Sequence, residues 1–146
     1  MAAPRVSTCI FCDDIRAEMG GKFSLMGIYA SDMIFPIVPP AVLTKWGIAV
    51  WLICDVDDMP QKLSISVTVP PDKTEIATLD FDQVPPPEHQ EGASKMNFRT
   101  FLPMPPVHLT ETGFIEVMVA TEQEPLRAGR LLVRFAPAPP ETTEAN

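Results

Sequence analysis

The sequence predicts an all-β domain, a two-sheet antiparallel β-sandwich of Ig-like or C2-like architecture. Three observations carry this reading. Several short runs alternate apolar and polar residues with a two-residue period. Seventeen prolines crowd between those runs, where they would break any helix. No segment shows a sustained i, i+3, i+4, i+7 apolar stripe. The chain has 146 residues, 46% hydrophobic and 21% charged, which suits one globular domain with a sizeable core.

Val6 to Cys12 is rich in apolar, β-branched and aromatic residues and predicts the first strand. It runs on through Asp13–Glu18, where Ile15 and Ala17 alternate with polar neighbours. Gly20-Gly21 then predicts a hairpin turn, because glycine accepts the positive φ that tight turns need. Phe23 to Tyr29 is the return strand, and Gly27 inside it predicts a bulge or a close backbone approach. Met33 to Val38 is a short extended piece, ended by Pro39-Pro40. Within Val42 to Val56, Trp46, Ile48, Val50, Leu52 and Cys54 share one parity and Gly47, Ala49, Trp51 and Ile53 the other. A strand apolar on both sides is expected at the centre of a sheet, covered on both faces.

Leu63 to Val69 is the clearest signal, with odd positions apolar and even positions polar. Pro70-Pro71-Asp72 turns the chain into Glu75–Phe81, where Ala77, Leu79 and Phe81 share a face. Gln83 to Ser94 reads as a long loop. Lys95 to Leu102 resumes as a strand, and Pro103, Pro105 and Pro106 point to a sheet edge or an irregular connection. Phe114–Ala120 and Arg130–Phe135 close the set, with Glu122 to Gly129 as the turn between them. Ala136 to Asn146 is rich in Pro, Thr and Glu without apolar periodicity. The domain is therefore expected over 1–136 and a disordered tail over 137–146.

The net charge of −8 repels phosphate backbones and anionic lipid surfaces, so neither nucleic acid nor membrane is expected as a partner. No basic segment precedes a long apolar run at the N-terminus, and the cysteines number three, an odd count. Both features favour a reducing, cytoplasmic setting. Cys9-Ile10-Phe11-Cys12 matches C-x-x-C, but a strand sends positions three apart to opposite faces, which suits neither a metal knuckle nor a redox pair. No cofactor or metal is expected. Asp55, Asp57 and Asp58, with Asp13, Asp14 or Asp32, are the carboxylates from which a calcium site between loops would have to be built. A hydrolase would have to use His89 or His108, or the carboxylates Glu18, Asp80 and Glu116, and no nucleophile elbow or metalloprotease motif accompanies them. Trp51, if it faces outward, is a candidate partner anchor.

One run of residues is distinctive. Phe11-Cys12-Asp13-Asp14-Ile15-Arg16 through Glu18, then Gly21-Lys22, then Ser24-Leu25-Met26-Gly27-Ile28-Tyr29, resembles the opening of a family of small uncharacterised bacterial proteins, a domain of unknown function. The resemblance extends over most of the chain, including a C-terminal strand pair like Gly113–Ala120 and Arg130–Phe135. It implies a β-sandwich and supplies no catalytic residue. Physically, Asp13, Asp14, Arg16, Glu18 and Lys22 flank one turn. Opposite charges across a hairpin stabilise strand pairing by about 0.2–1 kcal/mol each. The same five residues are a candidate recognition surface; the leading reading is a non-enzymatic interaction module that binds a protein partner or self-associates through an exposed sheet edge near the Pro-rich connections. A small-ligand or calcium-binding sandwich and an unrecognised hydrolase are the alternatives.

Overall fold

A computed structural model describes residues 3–81 and 92–137. Among them there are eleven strands and no α-helix. The first hairpin pairs β1 (Val6–Glu18) with β2 (Lys22–Ile28). Short strands β3 (Met33–Phe35) and β4 (Ala41–Leu43) lead to β5 (Trp46–Asp55), which ends in a single 3-10 turn at Val56–Asp58. Then follow β6 (Leu63–Val69), β7 (Thr74–Phe81), β8 (Lys95–Met104), β9 (Val107–Leu109), β10 (Gly113–Ala120) and β11 (Leu126–Phe135).

The strands form two main sheets. One has four strands in the order β2-β1-β5-β8, and the other has five in the order β3-β11-β10-β6-β7. Every pairing is antiparallel except β3 with β11. A small third sheet joins β4 to β9. Both main sheets send one face into a shared core. Phe11, Ile48, Val50 and Leu52 come from the four-stranded sheet. Leu63, Ile65, Val67, Ile115, Val117, Val119, Leu131 and Val133 come from the five-stranded one. Each fully buried aliphatic side chain contributes about 1.5–3 kcal/mol.

The two-residue beat of Leu63–Val69 is realised residue by residue, with odd positions buried and even positions partly exposed. Trp46–Asp55 is a central strand, flanked by β1 and β8. Its even residues face the core, and Trp46 donates its indole N–H to the Pro105 carbonyl at 2.9 Å. Pro103 lies on the edge strand β8, where its missing N–H costs no ladder bond inside the sheet. Gly20 and Gly21 hold the hairpin turn with φ of +80° and +70°.

Three expectations change. The turn before the last strand is shorter, because β11 already begins at Leu126. Gly129 is a strand residue at the closest approach of the two sheets: a Cβ there would come within 2.6 Å of the Cys9 sulfur. The extended piece after Tyr29 is a strand only at Met33–Phe35. The outer side of β5 is not covered by another layer of sheet among the described residues; only the β1–β2 hairpin reaches over it. The expected tail lies outside the described residues from Ala138 onward, as does most of the long loop before β8, including His89.

Candidate interaction surface

The two sheets differ on their outer faces. On the five-stranded sheet, Ser64, Ser66 and Thr68 of β6 line up beside Glu116 of β10 and Arg130 of β11. Glu116 meets Lys73 and Arg127 at 3.6 Å each, and the Arg130 guanidinium stands 4.2 Å from the Phe114 ring centroid. That face carries these charged and hydroxyl groups with Phe114 and Ile34 exposed among them. On the four-stranded sheet, the register places Ile10, Ala49 and Phe101 in one row, Thr8, Trp51 and Arg99 in the next, and Val6, Ile53 and Asn97 in a third. This face is largely apolar.

The β1–β2 hairpin folds over one end of it. Gly47 leaves room for the Ile15 side chain, whose Cδ1 lies 2.6 Å from where a Cβ would stand. Phe23 stacks on Phe101 with ring centroids 4.1 Å apart, and Trp51 meets Phe101 edge-on at 6.2 Å. Ala49 and Cys12 are fully buried although they belong to this outer face, at the end where Ile15 and Phe23 of the hairpin pack. The bend in the hairpin is built by Asp13, Gly27 and Tyr29. Gly27 has φ of +65°, and the Asp13 side chain occupies the space a Cβ would need. The Tyr29 hydroxyl donates to the Asp13 carboxylate at 2.6 Å.

The five charged residues singled out from the sequence all sit on this hairpin, spread along it rather than converging. Asp13 holds Tyr29, and Asp14 pairs with Lys45 at 3.1 Å. Arg16 reaches the Met26 sulfur at 3.9 Å. Glu18 and Lys22 are register partners beside the turn. Trp51 is partly exposed on the aromatic face, with Arg99 directly across from it on β8.

The acidic turn after β5 is engaged in charge pairing. Arg5, whose side chain is 3% exposed, bonds the Asp58 carbonyl, Thr121 Oγ1 and Glu122 Oε1, the last at 2.6 Å. Burial alone would raise the Glu122 carboxyl. The Arg5 hydrogen bond, with backbone N–H groups that include those of Gln61 and Lys62, instead pulls it down to about 2. Asp55 is held below the usual carboxylate range by Lys95 and by the Ala3 N–H. This network ties the start of β1 to the 3-10 turn and the β10–β11 loop. Sequence reading missed Arg5, since a single arginine before a strand carries no pattern. Among the described residues, no three His, Cys, Asp or Glu side chains stand together as metal ligands.

The three thiols are held in the protonated form. Burial pushes Cys9 up to about 12, and it raises Cys12 and Cys54 as well. A depression of about 410 Å³ at one end of the five-stranded sheet is lined by Lys62, Ser64, Asp80, Phe81 and Thr121 among others. His108 lies elsewhere, exposed on β9 opposite Val42. Glu18, at the hairpin turn of one sheet, is not brought to Asp80 or Glu116 on the other.

Comparison with curated proteins finds no match. A protein-family model covers residues 7–134, from the first strand through the last, and its opening is the bent hairpin just described. The chain belongs to that family, the family of unknown function DUF6941.

Proposed function

We propose that this domain is a non-enzymatic interaction module that docks a protein partner on the outer aromatic face of its four-stranded sheet. The observation that carries the reading is a difference between the outer faces: one carries the Glu116 ion pairs with Phe114 and Ile34 exposed among polar neighbours, while the other clusters the partly exposed Trp51, Phe101, Ile10 and Ile53 with Arg99 beside them. Contiguous exposed apolar surface rimmed by polar groups is the kind of feature that marks interaction sites. Tryptophan and arginine are the side chains that most often dominate binding energy at such sites. The paired antiparallel sheets support an Ig-like or C2-like sandwich as the scaffold, and the buried thiols and paired carboxylates favour binding over catalysis.

The test is affinity capture from the native host with the wild-type chain beside Arg99→Glu and Trp51→Ser. Circular dichroism checks that both variants fold. Proteins retained by the wild type and lost by both variants are the expected result. An identical set of captured proteins for all three chains would remove the reading.

A further inference from the structure

We infer that the β1–β2 hairpin is a self-association site, in which the free edge of β2 pairs antiparallel with β2 of a second copy of this chain. This surface adjoins the aromatic face at Phe23, which stacks on Phe101, but it uses the backbone edge of β2 rather than the face. An edge strand exposes unpaired N–H and C=O groups, and proteins normally guard such edges by shortness, bulges, charge or proline. Three of the four edges of the main sheets are guarded. β3 has three residues. β7 carries a register break at Ile76 and the acids Glu75 and Asp80. β8 carries Lys95, Arg99 and Pro103.

β2 has none of these between Phe23 and Met26. It exposes large apolar side chains instead: Phe23 and Met26 at 47% each and Ile28 at 54%, with Met19 at 92% on the adjoining turn. The regular stretch Lys22–Met26 is bounded by the Gly20-Gly21 turn and by Gly27, whose positive φ interrupts the ladder. Those limits favour a closed two-fold pair over an open fibre.

The occupant follows from complementarity. A two-fold axis at Ser24 sets Phe23 opposite Leu25 of the second copy, and Lys22 opposite Met26. Met26 is already paired with Asp14 across the hairpin, and Lys22 with Glu18. The row across the joined sheet then reads Glu18, Lys22, Met26 and Asp14, the last two from the second copy. Lys22 thus keeps Glu18 as its neighbouring carboxylate and faces the Met26 thioether of the second copy rather than that copy's Lys22, while Asp14 stays with Lys45 and Arg16 with the Met26 sulfur. The two Lys22 side chains stand about 14 Å apart along the ribbon, farther than a Debye length at physiological salt. Five paired residues make an interface well below the standard size, so the dimer is weak and reversible.

The test is sedimentation velocity of the full chain from micromolar to submillimolar concentration, with Met26→Lys, which sets a cation against Lys22, and Arg99→Glu as a control on the other surface. Melting curves check that each variant folds. The expected result is a reversible monomer–dimer equilibrium, weakened about tenfold or more by Met26→Lys and unchanged by Arg99→Glu. A monomer at every concentration would overturn the inference. So would a dimer indifferent to Met26→Lys, or one lost in Arg99→Glu.

Discussion

The Tyr29 hydroxyl donates a 2.6 Å hydrogen bond to the Asp13 carboxylate, across the point where Gly27 bends the hairpin. Two residues of the family's opening run are thereby explained without any ligand. The aspartate fills the space that glycine leaves, and the phenol satisfies it.

The pair makes the first prediction. Tyr29 is the chain's one tyrosine, so its ionisation is read alone near 295 nm. Burial first, then the hydrogen bond and charge of Asp13, raise its pKa. Phenolate absorbance should therefore stay absent as pH passes about 10, the ordinary tyrosine value. The phenol is neutral when protonated, so its raised pKa contributes stability below the unfolded value, and that stability is lost as pH rises toward the folded one. Asp13→Asn should move the onset down. An ordinary titration in the folded wild type would refute the arrangement.

A second prediction concerns the approach of the two sheets. Gly129→Ala places a methyl 2.6 Å from the Cys9 sulfur, an overpacking that should cost about 1–3 kcal/mol in urea denaturation. Cys9→Ala removes the obstructing sulfur. The double variant should then be less destabilised than the sum of the two single variants. Strict additivity would show that the sulfur is not what Gly129 accommodates.

Gly129 also shows where sequence reading reaches its limit. A glycine near Glu122–Pro125 reads as part of a turn, because local chemistry cannot distinguish a residue that bends the chain from one that lets another sheet come near. The same limit hid the outer aromatic cluster. Phe23, Trp51 and Phe101 lie on three strands, and only the folded hairpin brings them together. Strands β4 and β9, three residues each, are too short to show a period. What was legible depends on position along one strand: the alternation of Leu63–Val69, the two-sided apolar β5, the Gly20-Gly21 turn and the edge position of Pro103. The charged hairpin was legible as a group, but its bend was not. That bend rests on Asp13 filling the space beside Gly27, and a linear pattern does not encode this.

A third prediction follows from the buried guanidinium. Glu122→Gln leaves Arg5 without one of its two carboxylate partners and should cost about 1.5–3 kcal/mol, the range for hydrogen bonds to charged groups. Glu122 is one-third exposed, which favours the lower half of that range. Its carboxyl is depressed to about 2 in the fold. Its stabilisation is thus fully present above the unfolded value, about 4.3, and is lost as pH falls toward 2. Unfolding free energy measured across that window should fall less steeply in Glu122→Gln than in the wild type. Parallel slopes would mean that Arg5 is held by its other partners.

The last prediction concerns the thiols. A nucleophilic cysteine needs an accessible thiolate, and burial works against it at all three positions. The Cys9 sulfur faces Gly129 between the sheets, and Cys12 lies under the hairpin, its thiol 3.5 Å from the Gly47 carbonyl oxygen. Cys54 sits on the core face of β5. A thiol-specific chromogenic reagent should therefore react slowly with the folded protein at neutral pH, on the timescale of opening rather than of mixing. All three thiols should react once guanidinium unfolds the chain. Cys12 gives the sharper test, because it lies on the outer side of its sheet beside Gly47, where the hairpin packs. A variant that loosens the hairpin, such as Phe23→Ser, should expose Cys12 while Cys54 stays slow. One stoichiometric thiol reacting at once in the wild type would show that the hairpin does not cover the sheet. The burial of Ala49 and the packing of Ile15 over Gly47 would then need another cause.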